Sequence, residues 1–223
     1  MSIIRGVFHR LPDWLELSIV PAICFGVPII TSVLQIASGK AFVSVRFTNS
    51  VIVTALFYEL FVSAICLIFL YLRGYKIWNR LNFLISFKGV FLAIGLFIAT
   101  YAAYYILWIA ASFLFSGREI PVGEYASSVA WYFAVVLSLV NPLFEEGFLL
   151  GYVFDRLQTQ PAWFLIVLTT LIRISYHLYQ GWVGIIALLA VGILFALVYS
   201  KTKNLMPIYL CHALMDLTGL LGR

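Results

Sequence analysis

Apolar residues run along this chain in long stretches, and polar residues collect in the short gaps between them. A membrane-crossing helix needs about 20 mostly apolar residues. Seven stretches are candidates: residues 15–38, 51–72, 89–115, 127–157, 161–179, 183–200 and 205–221. Between the second and third, residues 73–88 mix bases with aromatics (Arg73, Lys76, Trp78, Arg80, Phe83, Phe87, Lys88), a composition suited to a membrane interface. Arg5 and Arg10 before an apolar run suggest a signal peptide. The run from Leu15 to Ala37 is too long for one and ends without a small-residue cleavage site, so a retained first span is expected. The pattern predicts an all-α fold: a polytopic transmembrane helical bundle of about seven spans. It forms one integrated membrane domain, in which residues 1–126 supply N-terminal spans and the interfacial segment, and 127–223 a C-terminal helical core.

Composition excludes a soluble protein. Hydrophobic residues make up 64% of the chain and charged residues 10%, with a mean hydropathy of +1.05; soluble domains carry about 25% charged residues. Lipid must cover the outside. The net charge of +5 raises nucleic acid as a partner. The bases instead sit in the connections, which favours the positive-inside rule and no nucleic-acid role. Arg5, Arg10, Arg73, Lys76, Arg80, Lys88, Arg156, Lys201 and Lys203 fall on one side, and Lys40, Arg46, Arg118 and Arg223 on the other. This predicts a cytoplasmic N-terminus and an external C-terminus. Cys24, Cys66 and Cys211 are far apart in sequence and lie in apolar runs, so they read as packing residues.

Ionisable residues at membrane depth are costly and mark sites or paired charges. Those singled out within the spans are Glu59, Glu145, Glu146, Arg173, His177, His212 and Asp216, and all but Glu59 fall in the C-terminal 80 residues. Glu145 precedes a turn near residues 158–160 by roughly 21 Å of helix, and His177 follows it by roughly 25 Å. His212 and Asp216 lie roughly 13 and 19 Å beyond a turn near Lys203. The four groups can meet near mid-membrane. Arg173 and His177 are four apart and are expected on one helix face, as are His212 and Asp216. Glu145 and Glu146 point about 100° apart, so they cannot face one cavity equally. Glu59 stands apart from the cluster and reads as a neutral, hydrogen-bonded acid. Asn141-Pro142 suggests a kink that frees a carbonyl near Ser138.

A carboxylate and an imidazole can share a water and remove its proton for attack on an amide carbon. A second imidazole with a polar neighbour can then stabilise the oxyanion. Glu145 and His177 fit the first role, His212 and Asp216 the second. The rival chemistry is zinc held by Glu145, His177 and His212, with water in the fourth position. No H-E-x-x-H motif is present. Buried charges that merely pair and hold helices together are the structural alternative, and proton-coupled transport is a more distant one.

The C-terminal part resembles the CPBP family of CAAX proteases and bacteriocin-processing (Abi) proteins. Its E-E-x-x-x-R motif is matched by Glu145-Glu146, its F-x-x-x-H motif by His177, and its H-x-x-x-N/D motif by His212 and Asp216, over about residues 127–221. The resemblance implies a helical intramembrane endopeptidase in which Glu145 and His177 activate water while His212 and Asp216 form the oxyanion side. The family's older label is metalloprotease; no cofactor is expected, with zinc as the alternative. The implied partners are membrane lipid and a peptide or membrane-protein substrate. A silent immunity or scaffold protein on the same fold is the alternative. Tyr176-His177-Leu178-Tyr179-Gln180-Gly181 is similar to a bacterial branch, which implies a bacterial plasma membrane. Two positions depart from the motifs: Leu150 stands where the family has Arg, and Arg173 where it has Phe. The two departures read as one exchange, with Arg173 crossing to pair with Glu146 as supporting residues of the site.

Overall fold

The computed structural model describes residues 11–38, 45–114 and 125–222. Of the bases used for orientation, Arg5, Arg10, Lys40, Arg118 and Arg223 lie outside them. Seven helical segments follow the seven apolar stretches: α1 (Asp13–Ala37), α2 (Asn49–Leu72), α3 (Phe87–Leu114), α4 (Trp131–Arg156), α5 (Ala162–Tyr176), α6 (Gly181–Thr202) and α7 (Met206–Leu221). Five are long and apolar enough to cross a membrane: α1, α2, α3, α4 and α6 with the 3₁₀ turn that precedes it. The chain is an all-α integral membrane protein. Its outer faces carry large exposed apolar side chains such as Phe57, Phe61, Phe91, Ile98 and Phe113, the groups that lipid would cover. The strands among described residues form a three-residue parallel ladder, β1 (Val45–Phe47) with β2 (Tyr125–Ser127), which joins the connections before α2 and before α4.

α5 and α7 are shorter, at 15 and 16 residues. At 1.5 Å per residue they reach about 22–24 Å, less than the roughly 30 Å of a hydrocarbon core. α5 begins among exposed residues and ends at buried Tyr176, and α7 begins at buried Met206, so these two ends fall inside the bundle, where freed backbone groups need protein partners. α4 is the central helix: 56% of its apolar window is buried, against 17% for α3. It packs on α2 and α7, while α3 packs on α6 and α7, and α5 on α6 and α1. α5 and α6 approach closely at Gly192, where a Cβ would meet the Thr170 side chain at 2.8 Å. Cys24 and Cys66, distant in sequence, meet across α1 and α2 with their sulfurs 3.5 Å apart.

Two local features differ from the sequence reading. α4 runs through Pro142 without a break, and its irregularity comes later, as a π-helical segment over Gly147–Tyr152. Such segments add a residue to a turn and occur often at functional sites. α5 stops at Tyr176, so His177 is not inside a span. It caps the helix at φ −115° and ψ 10°, and a 3₁₀ turn (Leu178–Gln180) and Gly181 at φ 71° lead into α6. A positive φ of that kind suits glycine. The Tyr176 carbonyl accepts a hydrogen bond from Ser32 Oγ on α1 at 2.9 Å.

The basic connections cluster at one end of the bundle. There Arg73 bonds Glu16 at 2.7 Å and Asp13 at 2.9 Å, and Arg156 bonds Asp13 at 2.9 Å and forms an ion pair with Glu16 at 3.0 Å. At that end too, Asn204 fixes the interfacial segment by two hydrogen bonds to the Leu84 backbone, each 3.0 Å. Glu16, overlooked among the polar residues of the spans, is 1% exposed and also accepts from Tyr152 at 3.1 Å.

Candidate active site

A cavity of about 690 Å³ lies in the other half of the bundle. α2 and α6 line it with their first halves, α1 and α3 with their second halves, α4 with its middle, α5 with its last turn and α7 from His212 onward. These are the helix portions remote from the Arg73 and Arg156 connections. Glu145, His177, His212 and Asp216 all border this one space, together with Arg173 and Asn141. Glu146 is buried behind the wall, in keeping with the divergence of adjacent helical residues.

Arg173 organises the two glutamates. It stands in the last turn of α5, 2% exposed, with its guanidinium 5.7 Å from the Phe195 ring centroid. Nη1 donates to Glu145 Oε2 at 3.0 Å, and Nη2 donates to Glu146 Oε1 and Oε2 at 2.9 and 2.7 Å. The planar fork of arginine suits this double engagement. Leu150 lies within the π segment, so it lacks the α-helical i,i+4 alignment with Glu146. It is buried in the same apolar cluster as Phe195.

The oxygens of Glu145 have different surroundings. Oε2 accepts from Arg173 and from the Tyr176 hydroxyl at 2.6 Å. Oε1 faces His177 Nε2 at 3.6 Å. Gln180 Nε2 lies 3.3 Å from His177 Nδ1, and the Tyr176 ring packs on the imidazole at 4.4 Å between centroids. An amide NH₂ can only donate, so in this contact Nδ1 accepts and Nε2 carries the hydrogen toward Glu145.

His212 is held from both sides. Nδ1 lies 2.6 Å from Glu146 Oε1; an ionised carboxylate only accepts, so Nδ1 carries the hydrogen there. Nε2 lies 3.5 Å from Asp216 Oδ1 and 3.4 Å from Asn141 Nδ2, and Asn141 donates to Asp216 Oδ2 at 2.9 Å.

Sequence reasoning missed three polar members of this region. Asn141 was taken only as part of a proline kink, although it lies four residues before Glu145 on one helix face. Tyr176 and Ser32 carried no signal beyond their neighbourhood. Glu59 is a correction: it does not stand apart but lines the same cavity, and its Oε2 is buried without a hydrogen bond.

The alternative zinc set expected from the sequence was Glu145, His177 and His212. Among the described residues, the group with ligand atoms within 4.8 Å of one another is Glu145, Glu146 and His212, without His177. That composition suits a metal, but its carboxylates already receive the Arg173 guanidinium and the His212 imidazole. A divalent cation would have to displace Arg173 or lie buried against it. The residues present fit a resident metal poorly.

No curated protein and no solved structure matches the chain. Residues 127–218 match the family described as type II CAAX prenyl endopeptidase, Rce1-like. That segment holds Glu145, Glu146, Arg173, His177, His212 and Asp216, so the part of the chain that carries the site is similar to the Rce1-like CAAX protease family.

Proposed function

We propose that the protein is an intramembrane endopeptidase that hydrolyses a peptide bond with water activated by Glu145 and His177. The observation carrying this reading is the asymmetry of the Glu145 carboxylate. One oxygen is anchored by Arg173 and Tyr176, and the other faces His177 across 3.6 Å at a cavity wall. That separation exceeds a direct hydrogen bond, so the pair suits a water held between them.

In the reaction, the water oxygen attacks the substrate carbonyl carbon while Glu145 Oε1 takes a water proton. Glu145 later passes that proton to the departing amine nitrogen as the C–N bond breaks. His177, held by Gln180, orients the water. His212 and Asn141 border the place where a carbonyl oxygen would gain charge, and donors aimed there stabilise the oxyanion. Asp216 orients both, and Arg173 with Glu146 are positioning residues behind them. The bias of basic connections supports a plasma-membrane protein with its N-terminus in the cytoplasm; the cavity then lies in the external half of the bundle.

The test is comparative proteomics of membranes from cells carrying the native chain or Glu145→Ala. The expected result is one or more membrane proteins or peptides whose cleaved forms vanish in the variant. Unchanged fragment profiles, with both proteins folded and equally abundant, would count decisively against peptidase activity.

A further inference from the structure

Glu59 lies in the middle of α2, outside the segment that matches the family. Its residue is 7% exposed, it borders the cavity, and its Oε2 has no hydrogen-bond partner. Among the described residues no cation pairs with it. The other charged groups on the wall are matched: Arg173 is taken up by Glu145 and Glu146, and His212 lies between Glu146 and Asp216. A substrate carboxylate entering here would find no free guanidinium or ammonium among the described lining residues. A substrate cation would find an unmatched acid in a cavity that Tyr58, Tyr101 and Tyr104 also line. Charged hydrogen bonds and ring faces both favour an ammonium or guanidinium in such a place.

We propose that the cavity selects a peptide bearing a lysine or arginine side chain near the bond to be cut, and that Glu59 is the specificity-determining residue that binds this cation. The proposal rests on the peptidase reading of the same cavity and adds the class of substrate to it. It also separates this chain from recognition of a free C-terminal carboxylate, which needs a cation that the described wall does not offer.

The test uses purified full-length protein in an uncharged detergent and three N-acetylated apolar peptides. One has a central lysine and an amidated end, the second has norleucine in its place, and the third is the norleucine peptide with a free C-terminal acid. Affinity is read by fluorescence anisotropy and cleavage by mass spectrometry. The lysine peptide should bind about tenfold or more tighter than its norleucine twin, as a charged hydrogen bond would give. In Glu59→Gln that preference should fall to within about twofold while norleucine-peptide affinity stays unchanged, the mark of lost charge recognition. Equal binding of the amidated pair, no binding of either, a preference surviving in Glu59→Gln, or tighter binding of the free acid than of its amide would each overturn the proposal. Glu59→Met is a second neutral variant, and if neither variant folds, the three-peptide ranking in the native protein decides. Lysine-selective binding without cleavage would leave the cation site and remove the peptidase reading. Equal cleavage of both amidated peptides would do the reverse.

Discussion

Among the described residues the bundle holds two ionic clusters, one around buried Glu16 with Asp13 exposed at its rim and one in the cavity half, and they are built on opposite principles. At the basic end, Glu16 is gripped by Arg73, Arg156 and Tyr152, and Asp13 by the same two arginines. Two guanidiniums meet two carboxylates, and each acid has more than one partner. In the cavity half, one guanidinium serves two glutamates, and the balance falls to imidazoles with an oxygen or a nitrogen turned toward open space. The first arrangement is redundant and fastens α1 to the connection after α2 and to the end of α4. The second depends on a single cation and leaves reactive atoms exposed to a ligand. A buried pair is weak evidence of net stabilisation, but breaking one is costly because a charge is left uncompensated. Redundancy should therefore show as tolerance at one end of the molecule and fragility at the other.

The sharpest way to break this contrast is Arg173→Ala. It strips both glutamates of their one guanidinium, and a loss of about 3–5 kcal/mol is expected, read by denaturant unfolding in detergent micelles together with loss of Glu145-dependent cleavage. Leu150→Arg combined with Arg173→Phe should recover much of that loss, because both positions adjoin the Phe195 region. A double variant no more stable than Arg173→Ala would end the idea of an exchange between the two positions.

Arg73→Ala is the counterpart at the basic end. Glu16 keeps Arg156 at 3.0 Å and Tyr152, so the expected cost is smaller, about 2 kcal/mol. Cleavage per folded molecule should be unchanged. A penalty equal to that of Arg173→Ala would show that redundancy is not what separates the clusters.

The two clusters also differed in how far the sequence disclosed them. Acids and imidazoles near mid-span stand out against 20 apolar neighbours, and helix rise brings Glu145, His212 and Asp216 to one depth by arithmetic alone. Glu16 did not stand out, because an acid in the first turn of a helix looks like part of the preceding connection. Glu59 was visible as a residue, but not its position: α2 shows no sequence relation to α4, and only packing sets which wall it lines. His177 was placed on the right cavity for an incomplete reason. Periodicity continues past Tyr176, and what stops α5 there is tertiary: Gly181 turns the chain, and Ser32 from α1 takes the freed carbonyl. The π segment likewise follows no hydrophobic period that a sequence can display.

Tyr176→Phe sharpens the account within the cavity cluster. It deletes the 2.6 Å hydrogen bond to Glu145 Oε2 and leaves Arg173 in place. One charged hydrogen bond is worth about 1.5 kcal/mol at the low end of its range, so about a tenfold fall in cleavage is expected. KM should change little, since Oε2 faces away from the substrate side. A variant with full activity would mean that Arg173 alone sets the orientation of Glu145.

The smallest effect is expected at Ser32, and it tests whether α1 contributes to the site although it lies outside the matched segment. α1 carries serines in two settings. Ser18 Oγ bonds the Trp14 carbonyl of its own helix at 2.9 Å, while Ser32 Oγ crosses to the Tyr176 carbonyl at the same distance. A helix end inside a membrane protein has no water to satisfy its last carbonyls, so the two bonds are not equivalent. Ser18→Ala should be close to neutral, since a back-bonding serine adds little to a helix. Ser32→Ala should cost about 1 kcal/mol, and the loss should fall on the turn carrying His177. Amide hydrogen exchange around residues 176–181 is the decisive readout: faster exchange there in Ser32→Ala, and no change in Ser18→Ala, is the expected pair of results. If both variants leave that turn equally protected, Gly181 and the packing of Tyr176 against Phe25, stacked at 5.0 Å, suffice to hold the histidine, and α1 acts only as a wall of the cavity.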